Sequence, residues 1–148
     1  MILHQNNRFI YNNRIAVRIP NGLCIDFTHE VIRTDALELI APDNSFRLVV
    51  DFVDTHKGAQ TFTEEIYEEH DSIATVTPIH AVKASCGLSG YAIAYALTAE
   101  LLEEYVFAIP GAPAALINVW FSRIKDEPYD EHLFEQAKQE VLNSIELI

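Results

Sequence analysis

Asp51, Asp54 and His56 stand within six positions of one another at the end of a strand-like segment, and carboxylate oxygens beside an imidazole nitrogen are what a small-ligand or hydrolytic site needs. Together with His80 they define one candidate site, a ligand-binding centre assembled from loop residues that meet only in three dimensions. The six histidines, His4, His29, His56, His70, His80 and His132, contain no pair at helical spacing and no His-x-His on a strand. No metal and no cofactor is therefore assigned. Gly87 and Ser89 match the first half of a Gly-x-Ser-x-Gly nucleophile elbow, but Tyr91 occupies the place of the second glycine and a strand, not a helix, follows. The segment reads as a turn, and no catalytic residue is assigned.

A second set of residues fits binding rather than catalysis. Glu64, Glu65, Glu68, Glu69 and Asp71 put like charges four apart on one helix, which costs a few tenths of a kcal/mol per pair unless a partner uses the patch. Tyr91, Tyr95, Tyr105, Phe107 and Trp120 combine apolar area with polar tips, the composition of an interface or of a second core layer. Tyr91, Tyr95, Tyr105, Phe107, Glu65 and Glu69 are thus the candidate partner-binding residues.

The elements that must position these side chains follow from periodicity. Arg14 to Ile19 alternates, and Asn21-Gly22 predicts a two-residue turn into Leu23, Ile25 and Phe27, a hairpin. Leu37 to Ile40 and Phe46 to Val53 are the next strands, separated by Pro42-Asp43-Asn44. A helix follows from Thr61 to Glu69, with Thr61 and Glu64 as a capping box. Ile73 to Ser85, interrupted by Pro78, reads as an edge or bulged strand. Tyr91 to Leu97 sets a bulky face against Ala92, Ala94 and Ala96; strands around Tyr105 to Ile109 and Leu116 to Ser122 complete a meander. After Pro128, Leu133, Phe134, Ala137, Val141, Leu142 and Ile145 form the apolar stripe of a last helix.

This order is that of an α+β domain, an antiparallel sheet of about seven strands flanked by two helices. With the opening strand Arg14 to Ile19 ending in Pro20 and the close Asn143-Ser144-Ile145, it resembles the PsbP-like α/β/α sandwich, and in particular its bacterial members. That family includes a photosystem subunit, a nuclear-import factor and chaperones of secreted effectors. The resemblance implies a fold whose members mostly bind proteins and share no catalytic motif.

Composition narrows the partners. At 148 residues the chain fits one domain, residues 1–148, able to bury a core without staples. Twenty-two acidic against 10 basic side chains give a net charge of -12, which disfavours nucleic acid and anionic membrane surfaces. Neither a signal-peptide pattern nor an apolar run of about 20 residues is present, so a cytoplasmic location is expected. Cys24 and Cys86, in apolar surroundings, are expected to be buried free thiols. The expected function is non-enzymatic binding of an unidentified protein partner, or of a second copy in a homodimer, through the aromatic sheet face or the acidic helix. The alternative is a small-molecule or hydrolytic site.

Overall fold

The computed structural model describes residues 7–25, 36–69 and 74–148, and the backbone of 2–5. The elements run β1 (Ile2–Gln5), β2 (Arg8–Tyr11), β3 (Ile15–Arg18), β4 (Cys24–Ile25), β5 (Ala36–Ile40), β6 (Phe46–Asp54) and α1 (Ala59–Glu68). They continue as β7 (Ala74–Lys83), β8 (Ser89–Ala96), β9 (Glu100–Ile109), β10 (Ala115–Ile124), α2 (Glu131–Ser144) and β11 (Glu146–Leu147). Among the described residues the fold is α+β: a seven-stranded antiparallel sheet in the order β4-β5-β6-β10-β9-β8-β7, and a smaller sheet β1-β2-β3-β11.

Strand alternation divides the main sheet into two faces, and each helix takes one. Phe46, Leu48, Val50 and Phe52 of β6 share a face with Phe107, Ile117, Val119 and Phe121, and α2 buries Phe134, Ala137 and Val141 against it. On the other face Ile93, Tyr95, Leu102, Val106 and Leu116 receive Ala59 and Ile66 of α1. The small sheet adds Phe9, Tyr11, Ile15 and Val17 to the α2 core. Helices on both faces of one sheet make an α/β/α sandwich.

The expected hairpin after Arg18 does not form. β3 pairs with β2 and β11 in the small sheet, whereas β4 pairs with β5 in the main one. The reason lies in α2: the Arg18 N–H donates to Ser144 Oγ at 2.9 Å and the Asn21 N–H to a Glu140 carboxylate oxygen at 2.9 Å. Gly22, at φ +86°, presses the turn against Leu133, where even a Cβ would approach Cδ1 to 3.0 Å. The turn therefore hands the chain from one sheet to the other. Phe27, which the hairpin was to include, lies outside the described residues.

Two further differences concern local structure. α1 starts at Ala59, ahead of the expected capping box, because Ala59 is anchored in the core and Thr63 Oγ1 donates to its carbonyl at 2.8 Å. Gly58 occupies the cap position without a side-chain bond. β1 and β2 were not anticipated, although Asn7, Asn12 and Asn13, all left-handed, mark the turns around them. β7 is an edge strand as expected, with register shifts on both sides of Thr77 next to Pro78.

Candidate interaction surfaces

The aromatic set does not form one surface. Tyr91 faces Val106 and Tyr95 faces Leu102 across β8 and β9, so both tyrosines lie on the α1 side while Tyr105 and Phe107 lie on the α2 side. Tyr95 is 1% exposed and Phe107 2%, which makes both core residues. Tyr91 and Tyr105 are half-buried, Tyr105 edge-on to Phe121 with ring centroids 6.1 Å apart. Trp120 is half-buried against the α1 core.

Tyr95 belongs to a buried polar group. Its hydroxyl donates to one carboxylate oxygen of Glu104, and Asn118 Nδ2 donates to the other at 3.0 Å. Glu104 and Asn118 are each 6% exposed, and Asn118 Oδ1 has no hydrogen-bond partner among the described residues. Burial, followed by the neighbouring Glu104 charge, pushes the Tyr95 hydroxyl well above the ordinary tyrosine range.

The acidic helix remains accessible. Glu64, Glu68 and Glu69 are exposed; Glu65 is half-buried and pairs with Lys57, whose pKa the Glu65 contact raises. Beside α1 runs β7, the edge of the main sheet, eight of whose ten residues are exposed, with Val76 at 61%. Thr75 Oγ1 donates to Tyr67 Oη at 2.8 Å, tying the strand to the helix. An apolar hollow of about 350 Å³ lies between them, lined by Tyr67, Thr75, Pro78, Ile79 and Ile93. Asp71, assigned with this patch, lies outside the described residues.

The ligand-binding candidates stay apart. Asp51 and Asp54 are three positions apart on β6 and so face opposite sides; Asp54 accepts from Tyr11 Oη at 2.7 Å. His56 is exposed in the loop after β6. His80 sits on β7, four strands from β6, or about 19 Å at ~4.8 Å per strand. Its Nδ1 is 2.9 Å from the Pro78 carbonyl. Among the described residues no group of three His, Cys, Asp or Glu is gathered to hold a metal ion. Cys24 and Cys86, expected to be buried, are exposed free thiols. The apolar neighbours that implied burial go into the core instead: Leu23 and Ile25 beside Cys24, and Ala84 and Leu88 around Cys86, pack with the α2 cluster, while Cys86 itself sits in the β7–β8 turn.

One cavity was not anticipated from the sequence. A groove of about 530 Å³ runs between α2 and the small sheet, its polar walls made by Arg8, Arg18, Gln136, Gln139, Glu140 and Asn143. Gln136, Gln139, Glu140 and Asn143 fall at i, i+3, i+4 and i+7, the polar stripe opposite Phe134, Ala137 and Val141. That spacing was the available signal. The arginines across the groove were not, because they depend on the pairing of β2 with β3.

No family model and no curated protein matches the chain. Among solved structures, it is similar to the Ran-binding protein Mog1p of Saccharomyces cerevisiae, with TM-score 0.58, 12% identity and coverage of 93% of this chain and 92% of that one. A mutant form of Mog1 aligns with TM-score 0.55, 12% identity and 98% and 97% coverage. A protein from Bacteroides thetaiotaomicron VPI-5482 aligns with TM-score 0.50 and 11% identity over 98% of this chain but 49% of that one. At such identities the likeness shows the fold, the Mog1 and PsbP-like arrangement.

Proposed function

We propose that residues 1–148 act as one non-enzymatic, cytoplasmic protein-binding domain, with α1 and the neighbouring β7 edge as the docking surface. The carrying observation is that edge: ten residues with no strand paired to their outer side among the described residues, beside a helix bearing Glu64, Glu68 and Glu69. An exposed edge can pair with an added strand, and carboxylates beside it select a basic segment. Of the residues assigned to partner binding, Glu65, Glu69, Tyr91 and Tyr95 lie on this side of the sheet, Tyr95 as a buried core residue. The fold likeness to a Ran-binding protein supports a binding role of this general kind. Two exposed free thiols fit a reducing compartment. No helix among the described residues is long and apolar enough to cross a membrane.

The test is affinity capture of the tagged protein from source-cell lysate at low and at high salt, with bound proteins identified by mass spectrometry. A stoichiometric partner lost at high salt and lost to Glu64→Lys with Glu68→Lys supports the reading. A partner retained by those variants and by Val76→Lys, or recovery of the protein alone as a monomer, removes this surface. Recovery as a dimer that Val76→Lys dissociates assigns the same edge to a second copy.

A further inference from the structure

We propose that the groove between α2 and the small sheet binds an extended peptide that carries one carboxylate. The proposal rests on the protein-binding reading but uses a different surface.

Arg8 and Arg18 are directly opposed on β2 and β3. Like charges at opposed positions cost stability, and here they occur in a chain of net charge -12. Glu146 pairs with Arg8. Glu140 accepts the Asn21 N–H at 2.9 Å. The Arg18 side chain is exposed at the groove and has no ion-pair partner among the described residues. The groove thus offers one free guanidinium, the donor fork that suits a carboxylate.

The rest of the lining selects against a compact polyanion. Two carboxylates, Glu140 and Glu146, share the groove with the two arginines. Gln136, Gln139 and Asn143 each bring donors and acceptors on one side chain. An oxyanion has only acceptors to offer them, whereas a peptide backbone alternates N–H and C=O and can use both. Asn143 Oδ1 already accepts from Ser85 Oγ at 2.8 Å, which leaves its NH₂ to donate. The Gln136 and Gln139 side chains are exposed and have no hydrogen-bond partner among the described residues. From Gln136 to Asn143 the stripe rises about 10 Å at ~1.5 Å per residue, and three residues of extended chain span about the same at ~3.3 Å each. Ile19 and Ile145 supply an apolar floor, and the volume of 530 Å³ falls within the range of ligand clefts.

The experiment is fluorescence anisotropy with a positional-scanning library of fluorescein-labelled pentapeptides, each synthesised with a free and with an amidated C-terminus. Enrichment of Asp or Glu at one position places the carboxylate on a side chain, and dependence on the free terminus places it at the chain end; either supports the proposal. Arg18→Gln then weakens the best peptide about tenfold or more, while Lys125→Gln on the exposed turn before α2 leaves it unchanged. Far-UV circular dichroism checks that the variants fold. Should Arg18→Gln unfold, Gln136→Ala with Gln139→Ala, both exposed, replaces it with the same expected direction. No binding by any peptide, unchanged affinity in the variants, or equal displacement by inorganic phosphate at peptide concentration overturns the proposal. Absence of peptide binding together with a lysate partner lost to Glu64→Lys with Glu68→Lys overturns the groove and leaves the β7 edge standing.

Discussion

The two faces of the main sheet are built differently. Under α2 the core is larger and mainly aliphatic and aromatic: Phe134 stands edge-on to Phe46 at 5.1 Å, to Phe121 at 5.8 Å and to Tyr129 at 5.6 Å. Under α1 the core is smaller and encloses the Tyr95, Glu104 and Asn118 group. α2 is also held from outside, by the small sheet through Ser144 and by the turn after β3 through Glu140. α1 has the sheet on one side and, on the other, exposed carboxylates. The difference teaches where each role can reside. A face whose packing is continuous carries stability, and a face with a thin core can give surface to a partner.

The largest expected effect tests that division directly. Phe134→Ala removes a buried ring that touches three others and should cost about 3–5 kcal/mol in denaturant unfolding. Ile66→Ala, at 9% exposed on the rim of the α1 core, should cost about 2 kcal/mol, the low end for such truncations. Equal losses would erase the comparison. Native-state hydrogen exchange sharpens it further: amides of α1 should exchange by openings of lower free energy than those of α2.

How much of this was legible in the sequence depends on which residues had to cooperate. β6, β8, β9, β10 and α2 each carry their own period, and the amphipathic stripe of α2 could be read as it stands. The Asn21-Gly22 hairpin failed because its competitor is more than a hundred positions away, in the Ser144 and Glu140 side chains that take the backbone donors. The aromatic set failed for a reason of register. Each odd-numbered residue of β8 faces an even-numbered residue of β9, so Tyr91 and Tyr95 cannot share a face with Tyr105 and Phe107. Antiparallel alternation is local, but the parity between neighbouring strands is set by their turn. Asp51, Asp54, His56 and His80 could be named but not joined, since the position of β7 at the far end of the sheet is a property of strand order.

A middle-sized effect concerns the polar group under α1. Tyr95→Phe removes the hydroxyl that donates to Glu104 and leaves a buried carboxylate with one donor fewer, at about 1–3 kcal/mol near neutral pH. The pH dependence is the sharper signature. The folded-state pKa of Tyr95 is raised, first by burial and then by Glu104, and Tyr105 is raised first by burial and then by Glu103. Above about pH 10 the unfolded chain loses protons that the folded chain keeps, so stability present below that pH falls by up to about 1.4 kcal/mol per pH unit for the buried Tyr95, with Tyr105 acting in the same direction. In equilibrium unfolding between pH 9 and 11, Tyr95→Phe should flatten this decline by one proton's worth. An unchanged slope would mean that Tyr95 ionises as freely in the folded protein as in the unfolded one.

The smallest effect separates binding from stability on the α1 surface. Glu64 and Glu68, and likewise Glu65 and Glu69, repel at i, i+4, while Lys57 pairs with Glu65 and interacts more weakly with Glu69. Replacing Glu68 with Gln should therefore leave stability within about 0.5 kcal/mol of the parent, on the stabilising side if the repulsion is felt. The same substitution should weaken capture of a basic partner and reduce its salt dependence, because the lost charge faces solvent and not the core. Thermal unfolding and salt-dependent binding measured on the one variant give opposite answers under the two accounts of the patch. A helix acidic only for solubility would lose nothing in binding, whereas a docking helix would lose affinity with no loss of fold.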